Sequence, residues 1–163
     1  NVPLVYNSSG YDNVETLKLL DGLFDIYMPD FKFWDKGWSE RYCNAPDYRE
    51  VAVDAVREMH RQVGDLVTDD GGIAVRGLLV RHLVMPKKVA GSEKVFEFLA
   101  KEISPNTYVN VMDQYRPCGS VQKDDLISRR IEMGEYREAL DAARKAGLKR
   151  LDSRERVRFV FGI

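Results

Sequence analysis

The sequence predicts an α/β fold built on a parallel sheet, and three observations carry that expectation. Four runs rich in branched and aromatic residues, Val2 to Tyr6, Leu23 to Met28, Gly77 to Met85 and Tyr108 to Met112, are nearly continuous in hydrophobicity. Strands covered on both faces read that way, whereas a half-solvated antiparallel strand alternates. Segments of helical spacing separate the runs, as in right-handed βαβ units. Polar residues gather at the end of each run, and parallel sheets place their chemistry at strand carboxyl ends.

The first run starts almost at Asn1, not at a methionine, so the chain reads as a piece of a longer polypeptide cut just before an interior strand. It leads into Asn7-Ser8-Ser9-Gly10, a composition suited to a strand-to-helix turn and able to hold a carboxylate, a phosphate or a ribose. Val14, Leu17 and Leu20 then repeat every three residues in a short helix, with Asp12 as the expected cap. After the second run, Asp47 to Val63 places Ala52, Ala55, Val56, Met59 and Val63 on one face, with Gly64 as the stop. The next helix starts at Ser92, buries Val95, Phe96, Leu99 and Ile103, and ends at Ser104-Pro105. Beyond Gly119 no central strand is expected. Lys123 to Met133 and Glu135 to Ala146 read as a helical hairpin broken at Gly134, and the tail from Arg154 as a short edge strand or a partly disordered end. The expected division is a sheet unit over 1–119 and a helical extension over 120–163.

Composition narrows the function classes. The 163 residues suit one domain, and 44% hydrophobic with 31% charged residues is ordinary for a globular chain. Twenty-five basic against 26 acidic residues give a formal charge of −1, so no net field points to nucleic acid or an anionic membrane. No apolar run reaches the roughly 18 residues of a spanning helix, and no signal peptide is evident. Two cysteines, Cys43 and Cys118, are too few and too far apart for a metal motif. They suggest free thiols and a cytoplasmic protein.

The strand ends supply the candidate site. Asp30 and Lys32 share one side by period-two alternation, with Phe31 opposite. As a pair they neutralise each other, or Asp30 meets a cation and Lys32 an anion. Arg81 lies inside the most apolar run and has to find a partner or face a cavity. His82 alternates to the other face and is expected to pack against a helix. His60 is expected to be merely solvated. Phe31, Phe33, Trp34 and Trp38 read as a loop or short helix over the mouth of the sheet, or else as a partner-binding patch.

The runs VPLVYNSSGY, DIYMPDFKF, RGLLVRHLVMP and TYVNVMDQYRPCG, in this order, resemble the second half of a radical S-adenosylmethionine enzyme. The nearest group is that of pyruvate formate-lyase activating enzyme and its uncharacterised bacterial and archaeal homologues. EYREALDAARKAGLKRLD is similar to that group's C-terminal helix, so the resemblance runs from Val2 to Asp152. It implies a partial (β/α)6 TIM-like barrel of which this chain carries the last four strands, followed by the helical hairpin. It further implies S-adenosylmethionine and a [4Fe–4S] cluster as cofactors. A one-electron reductive cleavage to a 5′-deoxyadenosyl radical would then abstract a hydrogen atom from a substrate, such as a glycyl-radical enzyme. A flavodoxin or ferredoxin would donate the electron. The group's C-x-x-x-C-x-x-C cluster motif is absent here, so the chain alone is expected to be inactive. Residue by residue, Asp30 and Lys32 match the group's Asp-x-Lys strand end, and Arg81 matches an arginine on the next strand. Asn7, Ser8 and Ser9 match the turn near the methionyl group, where an acidic residue usually stands in place of Asn7. Met28 would offer a backbone carbonyl and Leu83 would lie near the adenine. Asp113-Gln114-Tyr115 stands where the group has an adenine-closing histidine.

Two rival readings come from other classes. A self-contained α/β nucleotide- or phosphate-binding domain would want a glycine-rich phosphate loop, and Asn7-Ser8-Ser9-Gly10 is a poor one. A structural interaction module leaves Asp30, Lys32 and Arg81 without a reason.

Overall fold

The computed structural model describes residues 2–118 and 126–152. Five parallel strands run in sheet order β1 (Val5–Ser8), β2 (Ile26–Pro29), β4 (Ala74–Leu83), β5 (Tyr108–Met112) and β6 (Arg150–Asp152). A short β3 (Val67–Thr68) pairs antiparallel with the start of β4. The helices are α1 (Val14–Leu19), α2 (Lys36–Cys43), α3 (Tyr48–Val63), α4 (Ser92–Phe98) and α5 (Met133–Ala146). A 3-10 turn (Pro86–Lys88) follows β4, and a π-helical segment (Leu99–Ile103) extends α4.

The fold class is that of a mixed α/β protein with a parallel sheet, as the apolar runs predict. The four expected strands are present in sequence order, with shifted ends. β1 continues through Asn7 and Ser8, because Asn7 pairs with Met28 and Ser8 with Pro29. Those two residues therefore belong to the strand, and the turn begins at Ser9. Leu23 and Phe24 stay outside β2, whose approach is fixed by Asp25 Oδ2 accepting from Leu4 N at 2.8 Å.

The C-terminal region departs from expectation in two ways. A fifth parallel strand, β6, adds to β5, although Arg150-Leu151-Asp152 is only three residues long and mostly charged. No helical hairpin forms over the described residues: 126–132 are non-helical, and 123–125 lie outside the description. Gly134 does not break the helix but sits inside the first turn of α5. The start of α5 is set by a capping box between Glu132 and Glu135, which places the boundary one residue before Met133. The called tail from Arg154 also lies outside the described residues.

The α1 cap is corrected as well. Asn13, not Asp12, accepts from Thr16 N at 3.1 Å. Asp12 is taken by the Tyr6 and Ser8 hydroxyls, at 3.0 and 2.6 Å. Ala52, Ala55, Val56, Met59 and Val63 are all buried, so the α3 stripe is as read. In α4, Gly91 takes the cap position in a left-handed conformation, and Ser92 is the first helical residue.

The helices cover one face of the sheet. Tyr27, Leu78, Val80, His82, Val109 and Val111 point to that face and are at most 3% exposed. Their neighbours of opposite parity, Val5, Asn7, Met28, Asp30, Leu79, Arg81, Leu83, Tyr108, Asn110, Met112 and Asp152, are half-buried or exposed. Near its amino end β4 is flanked within the sheet by residues 64–66, with Asp65 bridging to Leu78. Leu78 N donates to Gly64 O at 2.9 Å, and Gly77, at φ +114°, lies so close to Asp65 that a Cβ would stand 2.4 Å from its carbonyl oxygen. At the carboxyl ends the second face is bare among the described residues. Continuous apolarity therefore comes from a helix-covered face and a mixed one, on which Asp30, Arg81, Asn110 and Asp152 interrupt apolar residues. No helix among the described residues is long and apolar enough to cross a membrane.

Candidate functional site

Beyond Pro29, β2 continues alongside β4. Asp30 bridges to Arg81, and Phe31 N donates to Arg81 O at 2.8 Å. That lacing sets the parity. Phe31 goes to the helix side, where it is fully buried, while Asp30 and Lys32 go to the bare face. Arg81 reaches the same face from β4. Its Nε and Nη2 both meet Asp30 Oδ1, at 2.8 and 2.6 Å. Lys32 Nζ stands 3.5 Å from Asp30 Oδ2. The three side chains singled out from the sequence thus converge on the carboxyl-end face.

Their exposures show what the cluster can do. The Asp30 side chain is 17% exposed, Arg81 29% and Lys32 34%. Asp30 is held by two cations, and the remaining donors of Lys32 and Arg81 reach solvent. Two cations against one carboxylate leave a formal charge of +1, which suits a carboxylate or phosphate. The pair shares its own neutralisation, which lowers the cost of half-burying Arg81.

The other candidates divide by face. Asn7, Met28 and Leu83 lie on the bare face with the cluster. Ser8 does not: its hydroxyl donates to Asp12 and accepts from Gly10 N at 3.1 Å, locking the turn from the helix side. Ser9 is exposed, and its carbonyl accepts from Tyr48.

Tyr48 is the supporting residue that sequence reasoning missed. Its ring is 3% exposed, and its hydroxyl accepts from Lys32 N at 2.9 Å. The same oxygen lies 2.9 Å from Ser9 O and 3.1 Å from Asp30 O, which share its one proton. Burial pushes its phenol well above the ordinary value. Gly10 makes this closure possible: at φ +75° a Cβ there would stand 2.2 Å from Asp30 O. One tyrosine and one glycine thus clamp the β1 turn against the Asp30–Lys32 segment. The available signal was a lone tyrosine at the first position of an amphipathic helix.

His82 packs as expected. It is fully buried against Phe96, with Nδ1 2.7 Å from Phe31 O and Nε2 2.8 Å from Ser92 Oγ. A carbonyl only accepts, so Nδ1 carries the proton and Nε2 accepts from Ser92. Burial lowers its pKa to about 4, against the pull of the Phe31 carbonyl. His82 thereby holds the site segment at Phe31 from behind. His60 is not merely solvated, since its Nε2 lies 3.0 Å from Asp65 Oδ1.

Of the aromatic segment only Trp38 lies in a helix, α2, while Phe31, Phe33 and Trp34 lie on the loop before it, and Phe31 and Phe33 face away from the bare side. Trp38 stacks on Tyr42, Tyr42 on Phe33, and Phe31 and Trp34 meet Phe98. These contacts run to α2 and α4, and Phe31 and Phe33 also meet Tyr48 of α3, because Phe31 and Phe33 carry helix-side parity. A groove of about 430 Å³ between α4 and α5, lined by Met85, Ser92, Glu138 and Lys145 among others, also lies on the helix side. Its rim mixes both charges and offers no single-sign site.

The described residues contain no group of three or more His, Cys, Asp or Glu side chains able to hold a metal ion. Cys43 and Cys118 are exposed free thiols. Burial raises the Cys43 thiol pKa, and the nearby Lys32 charge works against that.

No protein-family model matches the chain. No solved structure matches it either. Over 149 residues it is 35% identical to an uncharacterized protein of Methanocaldococcus jannaschii. The match covers 91% of this chain and 40% of that protein, so the chain spans less than half of its relative's length.

Proposed function

We propose that this chain is the cofactor-binding part of a radical S-adenosylmethionine enzyme, with its sheet forming part of a TIM-like barrel and the bare face turned to the lumen. The observation that carries the reading is the meeting of Asp30, Lys32 and Arg81 on the helix-free face at the strand carboxyl ends. A cation-rich cluster with spare donors fits the carboxylate of the methionyl group. Lys32 and Arg81 would bind and orient that carboxylate, and Asp30 would hold Arg81 in place. Met28 and Leu83 share the face and would border the rest of the cofactor. Bound S-adenosylmethionine would supply the radical chemistry, and hydrogen abstraction asks no acid or base of the protein. The described residues do not fit an iron–sulfur cluster, so its ligands would come from elsewhere in the longer protein. The match to a fraction of a longer relative is compatible with that division. A glycyl-radical protein as substrate and a flavodoxin or ferredoxin as electron donor complete the proposal, in a cytoplasmic setting.

The test is reductive cleavage. The full-length protein, reconstituted anaerobically with iron and sulfide, is expected to convert S-adenosylmethionine to methionine and 5′-deoxyadenosine. Lys32→Ala removes a charged hydrogen bond worth about 1.5–3 kcal/mol, which corresponds to a roughly 10- to 150-fold loss of affinity. The cluster spectrum should stay intact. Absence of cleavage in the wild type, or unchanged affinity and cleavage in both Lys32→Ala and Asp30→Ala, would sink the reading.

A further inference from the structure

The polar row on the bare face extends past the Asp30 cluster. Register sets Asp30 against Arg81, Arg81 against Asn110, and Asn110 against Asp152. Four neighbouring strands each contribute one polar side chain to a single line. At its far end Asn110 Nδ2 donates to Asp152 Oδ2 at 2.9 Å. That bond leaves the amide oxygen and the second carboxylate oxygen as acceptors.

The two ends differ in sign. Two cations share one carboxylate at the Arg81 end, while at the far end a carboxylate is met by a neutral amide. Arg150, on the same face but two residues nearer the amino end, is directed to the Leu66 carbonyl and stands 5.3 Å from the Tyr108 ring centroid. Adjacent strands lie about 4.8 Å apart, so Arg81 and Asp152 are about 10 Å apart across the sheet. A methionyl carboxylate at the first end does not use the second.

We propose that Asn110 and Asp152 form the subsite for the molecule acted on, and that they take a primary amine or guanidinium group of that molecule. The assignment rests on the radical-enzyme reading for the word substrate, but the cation subsite itself needs neither cluster nor cofactor. A cationic donor gains charge-assisted hydrogen bonds from the carboxylate and a further bond from the amide oxygen, whereas a neutral hydroxyl gains less.

The test compares n-propylamine with n-propanol, two probes of equal size, titrated into the ¹⁵N-labelled full-length protein. Propylamine should move the Asn110 side-chain amide signals and bind at least tenfold more tightly than propanol. Asp152→Asn, isosteric and exposed, should erase that difference and leave S-adenosylmethionine affinity unchanged. Asn110→Asp should tighten propylamine at least threefold. Equal binding of the two probes, or a propylamine response that survives Asp152→Asn, would overturn the proposal. So would a several-fold loss of S-adenosylmethionine affinity in Asp152→Asn without amine binding, which would give the pair to the cofactor. Failure of S-adenosylmethionine cleavage with intact amine binding would remove the radical reading and leave the cation subsite standing.

Discussion

Tyr48→Phe removes a single oxygen from the clamp beneath the candidate site. The ring contacts with Phe31, Phe33 and Tyr11 survive, because none of them uses the hydroxyl. Lost are the bond from Lys32 N at 2.9 Å and the shared bond to Ser9 O and Asp30 O. With the ring 3% exposed, water does not readily replace the oxygen. An unsatisfied buried N–H costs about 1–3 kcal/mol, and the lost bond to the carbonyls adds about 1. The expected destabilisation is therefore about 2–4 kcal/mol, or a Tm lower by about 4–16 °C for a chain of this size. Urea unfolding should show a lower midpoint with an unchanged slope. Because Lys32 is held through its backbone, S-adenosylmethionine affinity should also fall several-fold. A loss of under about 0.5 kcal/mol with unchanged affinity would refute the clamp.

Further expectations follow from the same contacts. His82 has a folded pKa lowered to about 4 from an ordinary 6.5, so the unfolded chain binds its proton first as pH falls. Stability is then full above about pH 6.5 and lost progressively toward pH 4, by roughly 3 kcal/mol; in His82→Gln, urea midpoints should lose that slope. Glu135, bound by Arg129, Glu132 N and Lys87 N, is lowered to about 2, so its contribution is present above about pH 4.5 and disappears toward pH 2. Glu135→Gln should flatten that lower limb in the same titration. Gly10→Ala drives a Cβ against the Asp30 carbonyl and should cost more than about 2 kcal/mol by calorimetry, where a mere surface turn would lose almost nothing. β1 ends the sheet among the described residues, with Leu4 53% and Val5 45% exposed, so the isolated chain should self-associate; Val5→Lys should shift its sedimentation toward monomer.

The legible parts of the fold were those that local pattern determines. Long branched runs marked β1, β2, β4 and β5, and parity alone put Arg81 and His82 on opposite faces. β6 escaped because three residues, two of them charged, carry no run; pairing with β5 holds them in place. The hairpin of β3 escaped because its strand is two residues long, although Asp69 Oδ1 accepts from Gly71 N and Ile73 N in a turn. Asp12 looked like a cap by position, but the hydroxyls of Tyr6 and Ser8, fixed by strand pairing, compete for it. The Asp30–Lys32–Arg81 cluster could be read from alternation on two neighbouring strands. Its extension to Asn110 and Asp152 could not, since it depends on register across β4, β5 and β6. Tyr48 was equally hidden, because its role comes from where α3 begins relative to the β1 turn.

The central claim is that the bare carboxyl-end face, and not the α4–α5 groove, holds the ligand through Lys32 and Arg81. Amide-shift mapping of the ¹⁵N-labelled full-length protein during titration with S-adenosylmethionine tests it most directly. The account predicts perturbations centred on 30–32 and 81–83, lost in Lys32→Ala. Perturbations centred on Ser92, Glu138 and Lys145, or a pattern unchanged by Lys32→Ala, would contradict it.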